Sequence, residues 1–219
     1  MRITEPTTMV TDYILAGMGI LFGRKLFLRG QEINQQAIRL WAVAFFAMAV
    51  GALAGGTWHG FTNYLGDLGQ TITWKLSVYA IGVASVGLAS AAIYAHSTGL
   101  TRRVLLILVV IKFLIYAVWM LNHDDFEYVI NDYAPTMLFV FLVECWGLIT
   151  RRAASAPWII AGIAVSFVGA AIQENEIALH PSFNHNDLYH VIQMVGLYLL
   201  YRGGLLLRDR EGPLVIRRA

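Results

Sequence analysis

Seven stretches of this chain are apolar over roughly the length that crosses a bilayer, and that segmentation leaves few folds open. A spanning helix needs about 20 mainly apolar residues. The stretches are 9–27, 38–63, 71–96, 104–121, 134–149, 158–173 and 187–206. Composition agrees: of 219 residues, 58% are hydrophobic and 14% charged, where a soluble domain carries about a quarter charged. Such a chain has too little polar surface to cover itself, so lipid is its expected solvent. The expected fold is therefore an all-α membrane protein, a seven-transmembrane helix bundle, with residues 1–219 as one domain because the connections are short. The single cysteine, Cys145, excludes an internal disulfide and CxxC chemistry. Residues 1–11 are polar, with no basic region and no small-residue cleavage site, and do not read as a removable signal peptide.

Charge orients the bundle. Arg24, Lys25, Arg29 and Arg39 lie in the first connection, Arg102 and Arg103 in the third, and Arg151 and Arg152 in the fifth. Arg202, Arg208, Arg210, Arg217 and Arg218 lie at the end. Thirteen of sixteen basic residues thus fall on one side, which the positive-inside rule makes cytoplasmic. The N-terminus is then outside and the C-terminus cytoplasmic, as an odd number of spans requires. The expected location is a bacterial inner membrane, multi-pass. Scattered over short turns, these charges give no support to nucleic-acid binding.

The other side holds the chemistry. His59, His123, His180, His185 and His190 fall there, and only His96 falls inside. Ionisable groups at membrane depth are costly and usually bind or react with something. The last stretch opens with Asn184-His185-Asn186-Asp187-Leu188-Tyr189-His190. Asn184 reads as a helix N-cap with Asp187 at the third helical position, and Asp187 shares a helical face with His190. His59, in Gly55-Gly56-Thr57-Trp58-His59-Gly60, ends the second stretch. Neutral imidazole is the commonest zinc ligand, and a catalytic zinc keeps three protein ligands. His59 and His190 would supply two of them from two helices. The third is open: on a regular helix His185 and His190 point about 140° apart, which leaves His185 in a non-helical lead-in or Asp187 instead.

These positions resemble the CREST superfamily of seven-span membrane hydrolases, which includes alkaline ceramidases and the progestin and adipoQ receptors. His59 matches the histidine that closes the family's second span. His185 and His190 are similar to the histidine pair of its last span, although HxxxH is here HxxxxH and the serine of its SxxxH motif is Gly55. Glu5-Pro6 with Thr11-Asp12-Tyr13 is similar to the acidic start of the ceramidase branch. The resemblance implies a zinc held by His59, His185 and His190, and calcium near Glu5 and Asp12. It implies hydrolysis of a lipid amide or ester bond near the outer face. Metal-activated water would be the nucleophile, with Asp187 or Asp67 moving its proton. The alternatives are a non-catalytic receptor or binding member of the same fold, and a proton- or metal-coupled transporter. Glu144, mid-span, is expected to pair across helices, with Lys112 as one partner, or to relay protons; Lys75 is expected to pair with Asp67 or Asp12.

Overall fold

The computed structural model describes residues 3–180 and 183–211; Arg217 and Arg218 lie outside them. Six helices follow one another among these residues: α1 (Pro6–Glu32), α2 (Gln36–His96), α3 (Gly99–Trp119), α4 (Phe126–Arg151), α5 (Ala156–Glu174) and α6 (His185–Gly204). The all-helical class expected from the sequence is what the structure has. Three of the helices, α2, α4 and α5, are long and apolar enough to cross a membrane.

α2 is 61 residues long, but it is not one rod. Gly66 sits at φ 61°, ψ 172°, a region that side-chain-bearing residues essentially do not enter. The chain turns there, and the two legs, 36–65 and 67–96, run back along each other. Ser77 donates to the Gly51 carbonyl at 3.1 Å. Further along the same seam, a β-carbon on Gly87 would stand 2.9 Å from that of Ala44. The two legs coincide with the second and third apolar stretches of the sequence. The missing side chain at Gly87 is what allows such close approach, the usual device where helices pack without a hydrophobic driving force.

α1 packs along α2, α5 along α6, and α4 bridges α2 and α5. The shared core is built from fully buried Leu26, Ile38, Trp41, Phe45, Leu88, Val140, Ile159, Ile163 and Leu200. Trp41 Nε1 donates to the Leu200 carbonyl at 3.0 Å, so the largest of these side chains is also satisfied. α3 is peripheral. Only Tyr116 of that helix is buried, whereas Ile107, Leu114, Ile115 and Val118 are exposed. In water that surface would exceed what a soluble monomer shows; against acyl chains it is ordinary. The segment after α6 is pinned at the other end of the bundle. Asp209 accepts from the Gln36 and Ala37 amides at 2.8 and 2.6 Å, capping the start of α2 in place of Gln35, which makes no side-chain cap.

Candidate functional site

The site is assembled from the beginnings of α1 and α6 and from the first leg of α2 near Gly60. At α6, Asn184 accepts from the Asn186 and Asp187 amides at 2.8 and 3.2 Å. Asp187 Oδ2 in turn accepts from the Asn184 amide at 2.8 Å. This is a capping box with Asp in the third position, as the sequence pattern indicates. The other oxygen, Oδ1, accepts from Thr8 Oγ1 at 2.8 Å. Asp187 is 1% exposed, and both its oxygens are engaged.

One turn further, His190 Nδ1 lies 2.9 Å from Thr11 Oγ1, and Nε2 lies 3.4 Å from Asp12 Oδ1. Thr8, Thr11 and Asp12 are buried on the α1 face that continues into Leu15, Ala16 and Gly19. That spacing of three and four residues puts them in one stripe, and the stripe meets α6. A second tie joins the chain ahead of α1 to α2. Glu5 Oε2 lies 3.0 Å from His59 Nδ1, while the Glu5 and Thr4 amides donate to the His59 and Gly60 carbonyls at 3.2 and 3.1 Å. Thr8, Thr11, Glu5 and Asp12 thus turn α1 into the hub of the cluster. Their one legible sign in the sequence is the repeated polar residue at helical spacing.

Asp12 is the group least satisfied. It is 6% exposed, and its Oδ2 is buried without a hydrogen-bond partner. Two glycines of α2 receive it. A β-carbon on Gly56 would stand 2.8 Å from that of Asp12, and one on Gly55 would stand 3.6 Å from Asp12 Oδ2.

The residues named from the sequence separate as follows. His59 and His190 both join the cluster, each with its own carboxylate. His185 is the first residue of α6, half-buried, and does not complete a common set with them. Asp67 is exposed beside the Gly66 turn, where its carbonyl accepts from Thr71; the hydrogen-bonded cluster does not include it. Among the described residues, no three His, Cys, Asp or Glu side chains are grouped so that they would hold a metal ion. The donor types suit zinc; their arrangement in pairs does not fit a three-ligand centre. Glu5 and Asp12, the residues expected near calcium, each face a histidine instead.

Two further polar centres lie deeper in the bundle. Glu144, fully buried, faces His96 Nε2 at 3.1 Å and accepts from Ser155 at 3.3 Å. Lys112, its expected partner, binds Asp132 at 2.8 Å together with Ser85 and Thr136. Lys75 binds Asp124 at 2.8 Å, and neither Asp67 nor Asp12. Asp132 was not singled out by the sequence because it sits in what reads as an outer connection; α4 starts earlier, at Phe126, and carries it inside.

Fold and site together define an all-helical bundle, with apolar helices of membrane-crossing length and a buried His–carboxylate cluster at one end. The chain belongs to a family of unknown function, DUF6962, whose model matches residues 7–209. That range includes every residue of the cluster except Thr4 and Glu5. No curated protein matches the chain.

Proposed function

We propose that the protein is a multi-pass membrane protein of seven spans, N-terminus outside, that works as a receptor-like binding protein and not as a hydrolase. In this reading the cluster is a clasp at the outer face joining α1 to α2 and α6, and ligand binding outside acts on that clasp. The observation that carries it is the occupancy of Asp187. One oxygen holds the helix cap and the other holds Thr8, so both oxygens of the carboxylate nearest His190 in sequence are committed to holding α6 and α1, a structural role in place of a general base. The pairing of His59 with Glu5 and of His190 with Asp12 supports the same reading: each imidazole ties two segments together.

A zinc-dependent hydrolase of lipid amides or esters is the second reading. It is favoured by the gathering of His59, His190, Glu5, Asp12 and Asp187 at one end of the bundle from separate segments. One measurement separates the two. The protein is purified in detergent without chelator, and zinc is counted by mass spectrometry for wild type, His59→Ala and His190→Ala. Absence of zinc in all three is the expected result. About one zinc per wild-type chain, lost in both variants, overturns the pairwise clasp, and a lipid-amidase screen then decides between a hydrolase and a receptor that keeps the metal for structure.

A further inference from the structure

Three arginines meet where the second leg of α2 ends. Arg102 donates from Nε and Nη2 to the Ser97 carbonyl at 3.0 and 2.6 Å, and from Nη2 to the Tyr94 carbonyl at 3.1 Å. Arg210 Nη1 donates to the His96 carbonyl at 2.7 Å, and Arg151 Nη2 to the same oxygen at 3.3 Å. The guanidinium groups of Arg151 and Arg210 also share the Trp146 ring, at 4.5 and 5.9 Å from its centroid. Two like charges are thus held close enough to repel. The ends of α2 and α4 offset about half a charge each. Glu144 acts on Arg151 from the interior, but His96 and Ser155 engage both its oxygens. Among the described residues, no carboxylate forms an ion pair with any of the three arginines. A net positive charge remains, and it has donors to spare. Nε and Nη1 of Arg151, and Nε and Nη2 of Arg210, have no acceptor among the described residues. Both side chains are exposed. Forked donors in this state match the oxygens of a phosphate.

The surface beside them says which phosphate. Leu138, Leu142, Trp146 and Ile149 of α4 follow one another at four, four and three residues, so they share a face. They are 50, 57, 48 and 82% exposed. This apolar stripe leads along α4 to the arginines, with the Trp146 ring belonging to both. A free anion uses only the charged part; a lipid with an anionic headgroup uses both.

We propose that Arg151 and Arg210, with Trp146 beside them, seat the phosphate of an anionic phospholipid whose acyl chains lie along the exposed stripe of α4. The inference shares with the receptor-like reading only the placement in a membrane, since the seat is at the opposite end of the bundle from the clasp. On the proposed topology that end meets the cytoplasmic leaflet, where anionic headgroups concentrate. The backbone holds the seat in place: the Arg210 amide donates to the Tyr94 carbonyl at 2.9 Å, and Arg102 Nη2 donates to the Arg210 carbonyl at 2.6 Å.

The test is thermal unfolding of the full chain in neutral detergent, with phosphatidylglycerol, phosphatidylcholine or inorganic phosphate added at constant ionic strength. Phosphatidylglycerol is expected to raise the melting temperature saturably, by about 3–5 °C at ten times the dissociation constant. Phosphatidylcholine and inorganic phosphate should give no comparable gain. Arg151→Gln and Arg210→Gln should each weaken the apparent affinity for phosphatidylglycerol about tenfold. Trp146→Leu keeps an apolar side chain at an exposed position, so the chain folds, and should weaken it about threefold. Arg24→Gln removes an exposed charge of α1 and should leave the affinity within about twofold. No gain from phosphatidylglycerol beyond that from phosphatidylcholine overturns the proposal. An equal gain from inorganic phosphate also overturns it, because the acyl chains then contribute nothing. So does an Arg24→Gln protein that loses as much affinity as Arg210→Gln, because diffuse charge then accounts for the binding. If the Arg151 and Arg210 variants fail to fold, Trp146→Leu decides, and wild-type affinity in that variant overturns the seat.

Discussion

Replacing Asp187 by alanine tests whether that carboxylate is structural or catalytic. The change removes the acceptor for the Asn184 amide, half of the capping box, at a cost of about 1 kcal/mol. It also strands the buried Thr8 hydroxyl, which loses a charge-assisted bond of 2.8 Å, at about 1.5–3 kcal/mol. Asp12 is close enough to repel Asp187, and relief of that repulsion offsets part of the loss. The expected net is about 2–3 kcal/mol, or about 4–12 °C in melting temperature for a chain of this size. Asp187→Asn keeps an acceptor of the same shape and should lose about 1 kcal/mol.

Circular dichroism melts of detergent-purified protein measure both variants, and Thr8→Val completes a double-mutant cycle. If Asp187 and Thr8 hold α6 to α1, the cycle should show a coupling of about 1–2 kcal/mol. A group kept for acid–base chemistry behaves otherwise: its removal leaves stability untouched and affects turnover alone. An Asp187→Ala protein that melts within 1 °C of wild type would refute the structural assignment and reopen Asp187 as the base of a hydrolase.

Three other perturbations follow from the fold. Gly66→Ala meets no neighbour within 4 Å, yet must hold a backbone conformation foreign to alanine; a loss of about 1–3 kcal/mol is expected, read by the same melts. Asp132→Leu leaves the Lys112 ammonium with only Ser85 and Thr136 and should cost about 3 kcal/mol, whereas Lys112→Met with Asp132→Leu should recover most of it; a double variant no better than the single contradicts this. Asp209→Ala uncaps α2 and should cost about 1 kcal/mol, with faster hydrogen exchange confined to the Gln36 and Ala37 amides and the residues beside them.

The helices were legible because their signal is local. Apolar length marked each stretch, and the Gly66 turn falls in the break between the second and third. The α6 cap was legible for the same reason, since Asn184 and Asp187 act on amides within one turn of themselves. Partner choice was not local. Lys112 takes Asp132 and leaves Glu144 to His96 because α4 extends from Phe126 and places Asp132 and Thr136 one turn apart, both beside Lys112. Charge sign and span number do not encode that level. The histidines likewise shared a side of the sequence map, but the map has no azimuth. It could not tell that Thr11 and Asp12 would take both nitrogens of His190, or that Asp67 would stay exposed at a turn.

Each polar centre crosses a different helix seam, and that distribution has a physical reason. In lipid, apolar faces do not prefer one another over acyl chains, so close packing of small residues and polar pairs must define which helices meet and at what height. Asp12–His190 and Thr8–Asp187 register α1 against α6. Lys112–Asp132 ties α3 to α4, while Tyr116 and Tyr79 hold α3 against the second leg of α2 by bonds to the Val78 and Ala117 carbonyls. Glu144 with His96 and Ser155 ties α4 to the end of α2 and to the start of α5. Two of these centres are saturated around at least one partner: Lys112 has three acceptors, and both Glu144 oxygens have partners. Asp12 and Asp132 share a feature: each binds its cationic or imidazole partner through Oδ1 and keeps a buried Oδ2 without a donor.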